Sequence, residues 1–309
     1  LLQHRYHLLI LVIVVYLFTY QVGGRGLVLP SLQDSSHALV FGLATNLLLL
    51  IFVPDQTSSN TVHARYVLVI CCCAFLFGVF IELVQPLVGR NRSLLDASYD
   101  LAGASAAGLF YWYKHVKHKH TKLILLLIAW LQVVSCLIIP ASNAWIVLQR
   151  NFAAPMLVSF DAPWEQRIRS INDRTQLSIV RPPADWKHSS LVGKLTFGLA
   201  TYPGISFPNI YSDWSAYSTL ALAVYSEQRQ TEVLHLRVHD TQHNQRYSDR
   251  YNQAINIAPG LNLIEVDLNK VKNSPKSREL DLSRIVTIGL FMTKLKNPVT
   301  LYIDDISLR

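Results

Sequence analysis

Long apolar runs dominate the first half of the chain, whereas short apolar runs separated by polar turns make up the second half. A run of about 20 mainly apolar residues is long enough to cross a bilayer as a helix. The first half therefore predicts five membrane-spanning helices, at about residues 7–22, 36–53, 65–88, 96–113 and 123–147. No small-residue cleavage site follows the first run, so we predict a helix there rather than a signal peptide.

The second half has the pattern of an antiparallel β-sandwich. Its apolar runs are short, are bounded by turn residues and have no helical segment between each pair. The predicted strands cover residues 195–201, 219–225, 233–239, 253–257, 262–267, 284–292 and 300–308. The predicted fold class is therefore multidomain, with an all-α transmembrane bundle followed by an all-β sandwich.

A proline-containing segment separates the two patterns, with Pro155, Pro163, Pro182 and Pro183 between residues 148 and 190. Residues 164–169 within it fit either a short helix or a first strand. We predict a transmembrane domain at 1–147, a linker with the first part of the outer domain at 148–190, and the sandwich at 191–309.

Charge is distributed as unevenly as hydrophobicity, since only five of the 20 acidic residues lie in the first 150 positions. The net charge of +8 is compatible with nucleic-acid binding, but four of the lysines are concentrated in residues 113–122, between two apolar runs. Cytoplasmic loops carry such an excess of basic residues. We therefore predict no nucleic-acid partner, a cytoplasmic N terminus and an external position for residues 151–309. Arg25, Arg90 and Arg92 then lie outside, against the rule.

The cysteines and the loop histidines are residue types that can bind metal ions. All four cysteines, including the consecutive Cys71–Cys73, lie in apolar runs, which predicts packing roles and no disulfide framework. His115, His118 and His120 alternate with lysines. A solvated basic face against anionic lipid headgroups is the favoured interpretation of these histidines, and a metal site is the alternative.

Polar residues collect at one edge of the predicted bundle. Glu82 and Gln85 share one helix face, and Asp96, Asp100 and Gly103 share a face of the next helix. A carboxylate at membrane depth costs about 2.5–3.5 kcal/mol on insertion scales, so these groups need partners. Arg90 and Arg92 are the predicted ion-pair partners. The small residues at 102–108 predict that another helix approaches closely there.

Three interpretations of this cluster stay open. The first is structural, with the polar groups holding two helices together. The second is a polar pocket at the outer surface for an anionic or hydroxylated ligand. The third is a pair of catalytic carboxylates, for which Glu82, Asp96 and Asp100 are weak candidates.

The same segment resembles the VanZ-like membrane family. The matching residues are Glu82, Gln85, Arg90, Asp96, Asp100, Gly103 and Gly108, although the family usually has Asn at the position of Asp100. Of the family's Asp-Lys-x-x-His motif, residues 33–37 keep only His37, which joins the predicted cluster. The resemblance covers about residues 5–115. It implies a link to teicoplanin resistance and to envelope or exopolysaccharide gene neighbourhoods, but no settled reaction.

One predicted strand alternates clearly between apolar and polar positions. Leu234, Leu236 and Val238 are predicted to face the core, and His235, Arg237 and His239 to face outward. The outward row is either ordinary solvated polarity or one wall of a ligand groove.

The second half resembles the galactose-binding-like jelly rolls of carbohydrate-binding modules over about residues 190–309. The resemblance is carried by Asp213-Trp214-Ser215, Tyr217, Leu220, Leu236-Arg237-Val238, Asp240, Tyr251-Asn252, Pro259-Gly260, Asn262, Asp281-Leu282, Ile285 and Leu301-Tyr302-Ile303-Asp304-Asp305-Ile306. It implies a sugar ligand and, as in many such domains, a structural calcium ion. Asp304 and Asp305 are the predicted calcium ligands, with Asp161 as a further partner.

Four aromatic residues are candidates for stacking on sugar rings, namely Trp214, Tyr217, Tyr247 and Tyr251. Trp214 is predicted to belong to the core. Tyr247 and Tyr251 lie in the polar segment 243–252 and are predicted to be exposed.

Three functions follow from these patterns. The favoured one is an accessory protein of the bacterial inner membrane, whose periplasmic sandwich binds a glycan or glycolipid in polysaccharide biosynthesis or glycopeptide resistance. The second is a membrane enzyme acting on a lipid-linked envelope substrate with Glu82 and Asp96 as acid and base, which no nucleophile motif, phosphate loop or complete metal site in the sequence supports. The third is a structural partner in a synthase or transporter complex.

Overall fold

The computed structural model describes residues 26–53, 60–89, 92–172, 174–187 and 190–309. It divides the chain into two compact units, Leu1–Ala144 and Trp145–Arg309. The described part of the first unit is helical, and the second unit is mainly antiparallel β-structure. The helix predicted at 7–22 and the candidate Arg90 lie outside the described residues.

Five helices form the described part of the N-terminal half. They are α1 (Val28–Phe52), α2 (Asn60–Val84) with the 3₁₀ turn Gln85–Val88 after it, α3 (Leu94–His115), α4 (Lys119–Cys136) and α5 (Ile138–Ala153). Three stretches within them are long and apolar enough to cross a membrane, namely Val28–Phe52, His63–Leu87 and Lys119–Cys136. A membrane-compatible helical unit is therefore confirmed, while the prediction of five spans is not.

The predicted span at 123–147 is wrong as a single helix, because α4 ends at Cys136 and α5 begins at Ile138. Pro140 accounts for the break. In a continuous helix its ring would meet the carbonyl group four residues earlier, which belongs to Cys136. In the first turn of α5 its missing N–H costs no hydrogen bond.

Helices α1 and α3 approach each other through small residues. A Cβ atom at Gly103 would overlap the carbonyl oxygen of Ala38, and one at Gly42 would lie 3.3 Å from the carbonyl oxygen of Gly103. This confirms the close approach predicted for the small residues of 102–108. Cys71 packs from α2 onto α3, where its thiol donates to the Ala104 carbonyl at 3.3 Å.

The described residues of the second unit form eleven strands. They are β1 (Met156–Val158), β2 (Ser170–Asn172), β3 (Thr175–Val180), β4 (Val192–Phe197), β5 (Gly204–Pro208), β6 (Thr219–Ser226), β7 (Glu232–Asp240), β8 (Tyr251–Ile257), β9 (Gly260–Asp267), β10 (Ile285–Phe291) and β11 (Val299–Leu308). A short helix, α6 (Leu268–Lys272), follows β9.

These strands form two antiparallel sheets, which confirms the predicted sandwich. One sheet has the order β3-β4-β11-β6-β9 with β1 beside β11, and the other has the order β2-β5-β10-β7-β8. Apart from the sequential pairs β3–β4 and β7–β8, the paired strands are not neighbours in sequence, so the sheet faces combine residues from well-separated segments. The core between the sheets contains Trp214, Phe197 and Phe207, all fully buried.

Seven of the strands match the predicted ones with shifted ends, and β1, β2, β3 and β5 were not predicted. The first three lie in the proline-containing segment 148–190, and β5 is a five-residue strand between Pro203 and Pro208. Residues 163–167 form a 3₁₀ turn, the helical alternative for that segment.

Candidate ligand-binding groove

A groove of about 490 Å³ lies on the five-stranded sheet. Its floor contains one cross-strand row, in which Ser206, Gly289, Arg237 and Asn252 are successive partners on β5, β10, β7 and β8. Phe291 and His235 form the next pair along β10 and β7. The alternation of β7 is thus confirmed, since Leu234, Leu236 and Val238 are buried in the core while His235 and Arg237 line the groove.

Aromatic rings surround this floor. The rings of His235 and Phe291 are stacked with centroids 5.1 Å apart, and Tyr202 meets Phe291 edge to face at 6.1 Å. At the opposite side, Tyr247 is 71% exposed, and the Arg250 guanidinium lies 5.5 Å from its ring centroid. The groove therefore offers flat apolar surfaces beside hydrogen-bonding groups.

Arg237 is the most constrained polar group of the floor. Gly289 makes room for it, because a Cβ atom at position 289 would lie 3.2 Å from Arg237 Nε. That Nε is buried and makes no hydrogen bond in the described structure. Burial lowers the pKa of Arg237, and the charge of Arg250 lowers it further.

Arg250 gives the groove a second positive charge. Its Nε donates to Asn252 Oδ1 at 3.0 Å, and Asn252 Nδ2 donates to the Tyr247 carbonyl at 3.0 Å. The described residues that line the groove include no carboxylate. The site therefore has an excess of positive charge and contains hydrogen-bond donors without a partner in the described structure.

An ion-pair network fixes the segment that carries Tyr247 and Arg250. Arg278 donates to Asp240 Oδ2 at 2.6 Å and to Asp249 Oδ1 at 2.7 Å. These bonds from Arg278 are the main cause that lowers the pKa of Asp249 to about 2. The network joins the end of β7 to the turn Tyr247–Asp249, and so fixes one side of the groove.

The other sequence candidates in the sandwich lie elsewhere. His239 does not line the groove but packs against His243, with ring centroids 4.7 Å apart. The predicted exposure of Tyr251 is wrong, because its side chain enters the core at the start of β8 and is only 7% exposed. Its hydroxyl donates to Gln253, and burial raises its pKa to about 12. Trp214 is fully buried, as predicted.

Several groove residues were not predicted, namely Asn172, Tyr202, Arg250, Phe291 and Thr293. They come from separate loops and strand ends, and only the strand order brings them together. Two signals in the sequence pointed to the groove, namely the alternation of β7, which places His235 and Arg237 on the outer face, and the polar segment 243–252, which contains the exposed Tyr247.

The carboxylates predicted to bind calcium have different environments. Asp304 is fully buried in β11 opposite Ala223, and Asp305 has a left-handed backbone with φ of 53°. Asp161 is exposed and accepts a hydrogen bond from the Leu191 amide at 2.9 Å. The calcium site stays a prediction.

In the helical unit the structure brings together His37, Glu82, Asp96 and Asp100, all buried, and Gln85 is buried as well. His37 Nδ1 lies 3.0 Å from Asp100 Oδ1, and Glu82 Oε2 accepts from the Ser93 amide at 2.7 Å.

Arg92 does not take the predicted role of ion-pair partner. It is exposed, and the polar contacts of Glu82 and Asp100 are with Ser93 and His37 instead. The physical reason is that Ser93 caps α3 by accepting from the Asp96 amide, which brings the Ser93 amide to Glu82. Gly103 lacks a side chain, which allows α3 to lie close to α1 at Ala38.

The chain matches no protein-family model and no curated protein. Solved structures similar to it include an exo-β-agarase, at 17% identity and a TM-score of 0.40, over 50% of this chain and 25% of the agarase. They also include a family 11 carbohydrate-binding module from Clostridium thermocellum in complex with a β-1,3-1,4-mixed-linked tetrasaccharide. That match has 16% identity and a TM-score of 0.39, over 50% of this chain and 93% of the module. The VanZ-like resemblance stays a prediction.

Proposed function

We propose that the sandwich binds a glycan in the groove of the five-stranded sheet, and that the helices anchor the protein in a membrane. The observation that carries this proposal is the hydrogen-bonding row Ser206–Arg237–Asn252, flanked by the rings of Phe291, Tyr202 and Tyr247. Sugar rings present apolar faces and hydroxyl edges, so a ligand of this kind uses both features. The volume of about 490 Å³ lies within the range of about 300–1,000 Å³ for small-molecule sites.

The charges of the groove narrow the ligand class to acidic saccharides. Two guanidinium groups with lowered pKa values, Arg237 and Arg250, lie in a groove without a lining carboxylate. A guanidinium binds a carboxylate through two parallel hydrogen bonds, and such charge-assisted bonds are about twice as strong as neutral ones. A uronic acid residue supplies such a carboxylate.

The envelope location is part of the same proposal. It rests on the apolar helices, on the lysines of 113–122 and on the resemblance of 5–115 to the VanZ-like family. We place the N terminus in the cytoplasm and the sandwich in the periplasm, with a role in polysaccharide biosynthesis or glycopeptide resistance. A cysteine introduced at the exposed Ser215 should react with a membrane-impermeant maleimide added to spheroplasts, because it lies on the periplasmic side of the inner membrane in this proposal.

The binding test uses the full chain in lipid nanodiscs, with matched neutral and uronic-acid-containing oligosaccharides. We expect Tyr247→Ala to weaken binding of both by about 3–10-fold, because it removes a stacking surface. Arg237→Gln should weaken binding of the acidic ligand by about 10-fold or more and leave the neutral ligand nearly unchanged.

Two control variants lie outside the groove, namely Tyr217→Ala and Arg229→Gln, and both should bind like the wild type. Equal losses in groove and control variants, or no binding of either oligosaccharide by the folded protein, would refute the glycan proposal. Repeating the titration in EDTA tests the predicted calcium ion. For such a site, we expect chelation to lower the thermal stability of the wild type. The effect of chelation should be smaller in Asp304→Asn.

A further inference from the structure

The buried polar cluster of the helical unit has the composition of a metal site. A ring nitrogen of His37 and one carboxylate oxygen each of Glu82 and Asp96 lie within 4.8 Å of one another. Two ligands of one ion, each bound at about 2.0–2.2 Å, are at most about 4.4 Å apart. Small side-chain adjustments therefore suffice to place all three on one ion. Among the described residues, this is the one group of three metal-binding side chains that converges in this way.

The carboxylates of the cluster have oxygen atoms that nothing else uses. Glu82 Oε1 and Asp96 Oδ1 are buried and make no hydrogen bond in the described structure. The side-chain amide of Gln85, which is 1% exposed, has no partner for its nitrogen or its oxygen. Buried polar atoms are almost always satisfied, because an unpaired one costs about 1–3 kcal/mol. The unsatisfied oxygens on both Glu82 and Asp96, which converge with His37, indicate that a further group binds there.

Asp100 prepares His37 for metal binding. The imidazole Nδ1 donates to Asp100 Oδ1 at 3.0 Å, which leaves the lone pair of the neutral ring on Nε2. Metal-ligating histidines almost always donate their other ring N–H to a carboxylate or carbonyl, which fixes the tautomer and the ring orientation. Both residues are at least 95% buried, so the pair is held in place by its surroundings.

We propose that His37, Glu82 and Asp96 bind a first-row divalent transition-metal ion, with Asp100 as a positioning residue. A dication neutralises the two carboxylates that have no cationic partner in the described structure. Mixed imidazole and carboxylate ligands suit Mn²⁺, Fe²⁺ and Zn²⁺, which bind nitrogen and oxygen donors together.

The test uses the full chain in detergent, purified with a histidine-free affinity tag, stripped with a chelator and then titrated with Mn²⁺ or Zn²⁺. We expect one ion per chain, counted by elemental mass spectrometry, and a rise in melting temperature on binding. Glu82→Gln and Asp96→Asn should each weaken metal affinity at least about 10-fold. Asp100→Asn should weaken it by about 10–100-fold, since loss of such a supporting hydrogen bond has that effect.

Two controls distinguish this site from adventitious binding. Asp34→Asn removes an acidic group of α1 that does not belong to the cluster and should leave affinity unchanged. The double variant His118→Gln/His120→Gln removes two exposed histidines and should also bind like the wild type. Binding that is lost in this double variant but kept in Glu82→Gln overturns the proposal.

A measurement on the wild-type chain keeps the test valid if a cluster variant does not fold. Electron spin-echo spectroscopy of bound Mn²⁺ should show coupling to one histidine nitrogen, and His37→Gln should remove that coupling. Absence of stoichiometric binding of Mn²⁺, Fe²⁺ and Zn²⁺ by the folded wild type also overturns the proposal. None of these readouts involves a glycan, so the result is independent of the function proposed for the groove.

Discussion

Each unit contains a cluster of buried charged side chains, and the two clusters differ in their hydrogen bonding. In the sandwich, Arg278 donates to Asp240 at 2.6 and 2.8 Å and to Asp249 at 2.7 Å, and Asp240 also accepts from the Asp281 amide. In the helical unit, Glu82, Asp96 and Asp100 each keep a buried oxygen without a hydrogen bond in the described structure. Buried carboxylates thus belong to a closed hydrogen-bond network in the sandwich and to an open one in the helical unit.

The difference separates a structural role from a binding role. A closed network contributes by fixing the segments that it joins, here β7 and the turn before β8. An open cluster is costly as long as its atoms have no partner, so it is better explained by a ligand than by stability. The following experiments break or sharpen this contrast, beginning with the largest expected effect.

Removing the cation of the closed network should have the largest effect. Arg278→Met leaves Asp240 and Asp249 buried without their partner, and breaking such a pair costs about 3–5 kcal/mol. Amide hydrogen exchange of residues 240–250 should accelerate strongly. Arg284→Met is the matched control, because Arg284 forms a 3.8 Å pair with Asp281 at an exposed position and should cost at most about 1 kcal/mol. Equal effects of the two variants would contradict the closed-network interpretation.

Separating α1 from α3 should open the helical cluster. Gly103→Val forces a side chain into the carbonyl group of Ala38, and overpacking of this kind costs about 1–3 kcal/mol. We expect a lower melting temperature and a weaker metal affinity, because His37 and Asp100 lie on these two helices. Leu101→Val is the control two positions away, at a site that is exposed on the helix. It should leave both quantities nearly unchanged.

Acid should weaken the closed network in a defined window. The pKa of Asp249 is lowered to about 2 in the folded protein, so its stabilising contribution is complete above the unfolded-state pKa near 4. It is lost as the pH falls from about 4 to about 2, and it amounts to about 2 kcal/mol. Urea unfolding at several pH values, followed by hydrogen exchange in the sandwich, measures it. In Arg278→Met this part of the pH dependence should disappear, and its persistence would assign it to other groups.

Neutralising one group of the open cluster should have the smallest effect on stability. In the presence of a chelator, Asp96→Asn should change the free energy of unfolding by about 1 kcal/mol or less. The substitution removes a buried charge that has no cationic partner in the described structure, so it leaves no cation unpaired. Differential scanning calorimetry with and without metal measures the change. A loss as large as that of Arg278→Met would show that Asp96 belongs to a closed ion pair.

The sequence predicted the elements better than the sites. Apolar run lengths identified the described membrane-compatible helices, and the alternation of β7 identified its two faces, because both patterns depend only on local periodicity. The break between α4 and α5 was visible in Pro140 but was not used. Strand order is different, because Ser206, Gly289 and Asn252 are neighbours of Arg237 only through pairings with distant segments.

The candidate sites show the same limit. Tyr247 and Tyr251 lie in one polar segment, yet the start of β8 between them exposes the first ring and buries the second. Glu82 and Asp96 were grouped from helix spacing, but His37 joined them only through a family resemblance. Their contact depends on how α1, α2 and α3 pack, which local pattern does not specify.

The ligand preference proposed for the groove depends on a single position in the row across its floor. Gly289 leaves the outer side of β10 bare, and the Arg237 guanidinium occupies the space, with Nε 3.2 Å from where a Cβ atom would stand. A bulky residue at 289 would displace the guanidinium without altering the charge or the hydrogen-bonding groups elsewhere in the groove. Under the proposed function, variation at this one position is thus expected to change a sandwich that prefers acidic saccharides into one that accepts neutral ones.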